Sequence, residues 1–271
     1  SVKYGSAPES SAGYCAYGAI LCGGIGNIKS GFEFGKLGLR LSEKLNAKSA
    51  GVRTQLSYNC AIKHWKKNVR ETLKPFEIGF QKCLEIGDLE NAAGNACAYS
   101  YYSYFAGMEL PKLERKISEI NKCIKKLEQK THLFYNQRAW QCVLNLMGYS
   151  ETPTIITGDF FDEKDMLNLY QKENDRTGMC GLYVDKIILC YLFHEYDQAS
   201  NNAKNAEKHL VALTGMVLFV VFHFYDSLAQ LALFSGTPKT NQKNILRKVA
   251  KNQKKMKKWA YHAPINFLHK W

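Results

Sequence analysis

Proline is scarce, at 6 of 271 residues, and strand-like alternation between regular turn signals is hard to find anywhere in the chain. Together these scarcities speak against a sandwich or barrel of many short strands and point to helix. No Cys-x-x-Cys pair occurs: Cys15, Cys22, Cys60, Cys83, Cys97, Cys123, Cys142, Cys180 and Cys190 stand singly, and their number is odd. That spacing argues against a disulfide scaffold and predicts reduced, buried thiols in a cytoplasmic protein. The seven histidines show no metal-ligand spacing, and there is no His-Glu-x-x-His. A Gly-x-Ser-x-Gly nucleophile elbow is also missing, and no cysteine and histidine single themselves out as a pair. No catalytic residue, no metal and no cofactor is therefore expected.

Acidic residues are missing after Asp226, whereas Lys239, Lys243, Arg247, Lys248, Lys251, Lys254, Lys255, Lys257, Lys258 and Lys270 all follow it. The formal charge of +13 is thus concentrated near the C-terminal end. A long uninterrupted apolar run is lacking too. The most apolar stretch, Met216 to Phe234, contains His223, Asp226 and Gln230, so it reads as a buried central helix and no membrane association is expected. A hydrophobic content of 46% suffices for a sizeable core, which argues against disorder. The chain starts at Ser1 without a signal-peptide pattern and stops after a basic, aromatic run, so it reads as a piece of a longer polypeptide.

What is present is a repeat in the turns. A turn pair, an apolar residue and a small residue three positions later occur as Gly26-Asn27-Ile28 to Gly31, Gly87-Asp88-Leu89 to Ala92, and His194-Glu195-Tyr196 to Ala199. Gly31, Gly35 and Gly38 fall at i, i+4 and i+7, and Ala199, Ala203 and Ala206 repeat those offsets. Each set gives a helix one stripe without bulk, where a neighbouring helix can approach closely. Glycine in a helix interior costs about 1 kcal/mol relative to alanine, so the stripe needs a packing reason.

Extended along the chain, the pattern predicts first-of-pair helices starting near Ala12, Ser49, Asp88, Thr131, Asn174 and Met216. Their partners run over Ile28 to Leu45, Val69 to Ile86, Leu110 to Gln129, Asp159 to Lys172, Tyr196 to Leu213 and Thr240 to Lys258. Pro111 and Pro238 suit first helical turns, and Asp88 and Asp159 suit N-caps. Met147 to Gly158 reads as a longer loop. The expected architecture is one all-α domain over residues 1–271, an α-solenoid of about six tetratricopeptide-like antiparallel hairpins in a right-handed superhelix with a concave binding side.

Two motifs touch on phosphate chemistry and fall short of it. Gly23 to Ser30 nearly spells a phosphate-binding loop, but Ile28 stands where glycine is needed and no buried strand precedes it. Gly158-Asp159-Phe160-Phe161 has the wrong order for a magnesium-binding Asp-Phe-Gly. Two surfaces remain as binding candidates. Tyr99, Tyr101, Tyr102 and Tyr104 lie at consecutive and alternate positions, which spreads them around a helix so that some face outward; filling contacts between hairpins is the commoner use of such rings. The C-terminal helix carries Arg247, Lys248, Lys251, Lys254, Lys255 and Lys258 opposite an apolar face of Ile245, Val249, Met256 and Trp259. A capping or docking role for it is favoured over nucleic-acid binding, which stands as the rival.

Four stretches resemble a known family: Phe32 to Leu41, His64-Trp65-Lys66 with Arg70 to Pro75, Phe222 to Ala229, and Asn252 to Trp259 followed by His262-Ala263-Pro264 and Asn266 to Lys270. They are similar to the tetratricopeptide-like helical region of large bacterial multi-domain signalling kinases. The resemblance implies a preceding serine/threonine kinase-like domain and an AAA- or STAND-type NTPase, and following GAF or PAS sensors with a histidine kinase or cyclase output. It implies a non-catalytic sensor and coupling arm in a two-component type of signal transduction. The expected partners are the flanking domains of the same polypeptide and a protein or small-molecule signal. The repeats run nearer 40 than 34 residues and lack the Trp-x-x-Leu-Gly signature of standard tetratricopeptides.

Overall fold

The computed structural model describes residues 5–271, and among these no strand forms; one isolated antiparallel bridge joins Thr157 to Asp162. Thirteen α-helices follow one another: α1 (Ser10–Ala19), α2 (Ile28–Lys44), α3 (Lys48–Ala61), α4 (Leu73–Glu85), α5 (Leu89–Phe105), α6 (Leu110–Lys126), α7 (Lys130–Leu146), α8 (Glu163–Lys172), α9 (Arg176–Leu192), α10 (Tyr196–Glu207), α11 (Val217–Ala232), α12 (Lys239–His262) and the single turn α13 (Pro264–Phe267). Each of the twelve expected helices has its counterpart. Neighbours in sequence pack as pairs, α1 on α2 and α9 on α10 as the expected hairpins have it, but α4 packs most closely on α5, across the boundary expected between the second and third hairpins.

The turn chemistry explains the regularity. Helices α2, α4, α5, α7, α8 and α9 all end on a residue with positive φ: Asn46, Gly87, Gly107, Gly148, Asn174 and His194. In each case the next N–H reaches back to the helix, as in Asp88 N to Cys83 O at 2.9 Å, Asp175 N to Tyr170 O at 2.8 Å and Glu195 N to Cys190 O at 2.8 Å. This left-handed cap satisfies carbonyls that the helix end would orphan and, except after α7, where the long loop follows, turns the chain into the next helix within three or four residues. Starts are capped as well. Asn27, Asp88 and Asp175 accept from Ser30 N, Asn91 N and Gly178 N at 3.2, 3.2 and 2.8 Å.

The described residues divide into two compact units, one reaching to Asn136 and including Thr214–Val217, the other Gln137–Leu213 with Leu218–Trp271. In the first, the glycine stripe of α2 meets α1 backbone to backbone. A Cβ at Gly31 would lie 2.6 Å from Gly18 O and 2.5 Å from Cys22 Sγ, and one at Gly38 only 2.7 Å from Ser11 O. No side chain fits there. Farther on, Phe76, Tyr102, Val69 and Val217 form a core cluster, and Ala93, Ala96, Cys97 and Ile124 another.

In the second unit Ala199, Ala203 and Ala206 are fully buried, and Cys180 Sγ sits 3.4 Å from Ala206 O, so this stripe also seats a neighbouring helix. Arg138 and Asp185 form a buried ion pair at 2.8 Å, and Arg138 Nη1 donates to Gly178 O at 3.0 Å. The loop expected at Met147 to Gly158 is present but pinned. Asn145 Nδ2 donates to Pro153 O and Ile155 O at 3.2 and 2.7 Å, Phe160 stacks on Trp140 at 3.7 Å, and Ile156 is fully buried.

Two details depart from expectation. Asp159 is exposed in the loop and caps nothing; Asp162 caps α8, accepting from Lys164 N and Asp165 N at 2.9 and 3.0 Å. Its neighbour Glu163 accepts from Ile156 N at 2.8 Å and pairs with Lys186, and these contacts fix where the helix begins. Val69 to Ile86 is not one helix, because Asn68 caps a separate short turn over Val69–Thr72 before α4 starts.

Candidate functional site

A groove of about 600 Å³ opens along α4, α5 and α6 in the first unit. Small residues make it. Ala92, Ala93 and Ala96 on α5 are buried, which brings helices close at its floor, and Gly79 on α4 leaves room for Asn95, whose Oδ1 would stand 2.4 Å from a Cβ there. Phe80, Ala96, Tyr99 and Ile120 supply an apolar lining. Lys74, Glu77, Lys82 and Glu85 border it on α4, and Lys116 and Cys123 on α6. Lys74 pairs with Glu77 at 3.2 Å and Lys116 with Glu119 at 3.1 Å, both exposed i, i+3 pairs of the kind worth little in stability. The hydrogen bond to Glu119 raises the Lys116 pKa, so this cation is retained at the rim. An apolar floor between charged rims of both signs is a surface suited to an apolar ligand segment with polar flanks.

The four candidate tyrosines separate. Tyr99 lines the groove. Tyr101 is half-buried and donates to Tyr135 O at 3.2 Å, and Tyr104 is half-buried against Phe105 at 5.1 Å between ring centroids. Tyr102 is not a surface residue: it is 4% exposed, sits edge-on to Phe76 at 5.1 Å and donates to the Cys60 carbonyl. Tyr99 and Tyr102, three residues apart, share a face of α5 and both pack on the core cluster, but Tyr102 is buried within it whereas Tyr99 is only half-buried and reaches the groove.

The basic helix α12 separates likewise. Arg247, Lys251, Lys254 and Lys258 are exposed, whereas Lys248 and Lys255 lean towards α11. Asp226 on α11 is fully buried and holds Lys248 at 2.9 Å; Glu207 adds a second carboxylate at 3.6 Å. Asn252 Nδ2 donates to Asp226 Oδ2 at 3.0 Å and to Ser227 Oγ at 3.1 Å, while Ser227 donates to His223 O at 2.9 Å. Asn252 Oδ1 lies 2.9 Å from His223 Nδ1. An amide oxygen only accepts, so Nδ1 carries the proton and Nε2 is left to accept from Lys255 Nζ at 3.1 Å. Burial, then the Lys255 charge, pushes the His223 pKa down to about 3, so the ring is neutral. This network belongs to helix packing. The sequence pattern had named the apolar contacts of α12, and Ile245, Met256 and Trp259 are indeed buried, but Asn252 in their midst was not foreseen as the hub.

Gly23 to Ser30 forms a helix turn. Gly26 takes positive φ, Asn27 caps α2, and the residues before it continue α1 as a wide helical turn over Ile20–Ile25. Most thiols are buried; burial pushes Cys15 and Cys180 up to about 12, where they are poor nucleophiles. Cys123 departs from the expected burial and is exposed at the groove. Among the described residues no three His, Cys, Asp or Glu side chains gather as a metal site, and no helix is long and apolar enough to cross a membrane. No protein-family model matches the chain, and no curated protein matches it.

Proposed function

We propose that this chain is a non-catalytic interaction and coupling arm of a multi-domain signalling kinase, a tetratricopeptide-like solenoid that binds a protein segment in the groove along α4, α5 and α6. The groove is the observation that carries the reading: an apolar lining including Tyr99 and Ile120, framed by Lys74, Lys82, Glu77 and Glu85. Support for the solenoid comes from helix pairs joined by a recurring left-handed cap. Support for the kinase context comes from the resemblance of Phe222 to Ala229 and Asn252 to Lys270 to the helical region of such proteins. In that setting the arm would link an NTPase module to downstream sensor and kinase output, in a reducing cytoplasm that suits nine free thiols.

The test is selection of peptides from a random display library on the intact chain, with affinities then measured against wild type and the Tyr99→Ala and Ile120→Glu variants. Selected peptides are expected to lose at least tenfold in affinity for both variants, with thermal unfolding of Tyr99→Ala little changed. Undiminished binding to both variants would overturn the groove, and robust ATP hydrolysis by the purified chain would overturn the non-catalytic reading.

A further inference from the structure

The outer face of α12 is a continuous row of cations. Ile245, Asn252, Met256 and Trp259 are buried, at i, i+7, i+11 and i+14, so one face of the helix is fully used in packing. On the opposite side Lys243, Arg247, Lys251, Lys254 and Lys258 succeed one another every three or four residues, all exposed, and Lys239 and Lys257 flank them. From Lys239 to Lys258 the row extends about 28 Å at 1.5 Å per residue. No acidic residue occurs on α12, and Glu207 and Asp226, the carboxylates that do reach it, are both engaged by Lys248 on its inner flank. Aromatic rings stand at the C-terminal end of the row. Tyr261 is 84% exposed, and Trp271, 52% exposed, has its ring 5.2 Å from Lys257 Nζ.

The geometry points to this face as a binding site for single-stranded nucleic acid, held through its phosphates without reading base sequence. Lysine predominates over arginine, so the face offers point charges rather than the bidentate forks that read base edges. Exposed aromatic rings beside a cationic track are what stacked, unpaired bases require. An anionic bilayer is the poorer partner, because an interfacial helix inserts its apolar face and α12 has spent that face on Ile245, Met256 and Trp259.

The experiment follows the fluorescence anisotropy of a labelled single-stranded oligonucleotide of mixed sequence titrated with the full chain at several salt concentrations. If the five central cations each neutralise one phosphate, log K should fall against log salt with a slope of about −3.5, a loss of roughly a hundredfold between about 50 and 200 mM. Lys243→Glu, Arg247→Glu, Lys251→Glu and Lys254→Glu combined should abolish binding with helical circular dichroism unchanged. The same four positions as Gln, should the reversed charges unfold the chain, should weaken it at least tenfold. Lys122→Glu, Lys125→Glu and Lys126→Glu, which lower the net charge on α6 instead, should leave it within threefold. No binding at the lowest salt, a slope shallower than −1, equal loss in the α6 variant, or equal competition by polyglutamate or by anionic vesicles would each overturn the proposal.

Discussion

Helices α1 and α2 meet backbone to backbone, whereas α11 and α12 meet through side chains that carry charge. At the first contact Gly31 and Gly38 leave no space even for a methyl group beside Gly18 and Ser11. At the second, Asn252 ties together Asp226, Ser227 and His223 in a buried network with Lys248 and Lys255 at its edges. The same turn rhythm is thus compatible with two unlike kinds of adhesion. Close packing gains many small dispersion contacts and tolerates no added atom. A satisfied polar network tolerates changes of volume better but fails when a partner is removed or a proton is added.

The largest effect should come from overfilling the close contact. Gly31→Leu places carbon where Gly18 O and Cys22 Sγ already stand, and should lower unfolding free energy by about 3 kcal/mol or more, read by urea denaturation. A smaller loss, about 2 kcal/mol, is expected from Asn252→Leu, which strips partners from Asp226, Ser227 and His223. A result of the reverse order would invert the comparison.

Near pH 6 the smallest effect is pH dependence, which grows as the solution becomes more acid. Burial holds His223 and His64 at pKa values of about 3, against an ordinary 6.5. Between those values the unfolded chain binds protons that the folded chain refuses, so stability is complete above about pH 6.5 and falls as pH drops towards 3. His223→Gln should flatten this slope by up to one proton, measured as unfolding free energy against pH. An unchanged slope would show that His223 is charged in the fold.

Much of this architecture was legible in the sequence, because helical periodicity, glycine spacing and capping residues act locally. The stripe at Gly31, Gly35 and Gly38 announced a close helix contact, and Asp88 announced a helix start. The turns at Asn46, Glu128 and Asn174 fell where the helix spacing put them, but their left-handed residues went unnamed, because the turn pattern had been read only at Gly26, Gly87 and His194. Asp159 was read as the cap and Asp162 was not considered; the preference for aspartate at an N-cap does not tell two neighbouring aspartates apart, and the tertiary contacts of Glu163 with Ile156 and Lys186 decide. Sites were harder still. The partial burial of Tyr99 at the groove against the full burial of Tyr102, and the inward turn of Lys248 and Lys255, depend on which helices pack against α5 and α12. Asn252 falls on the helical stripe of Ile245, Met256 and Trp259, so periodicity alone could have placed it on the buried face, but nothing local names its partners Asp226, Ser227 and His223.

Hydrogen exchange measured by mass spectrometry on Gly38→Ala tests most directly whether paired helices and their close backbone contact hold this structure together. Protection in α1 and α2 is expected to fall at least tenfold, because the new methyl meets Ser11 O at 2.7 Å and the two helices must separate to admit it. Unaltered protection in both helices would contradict the account.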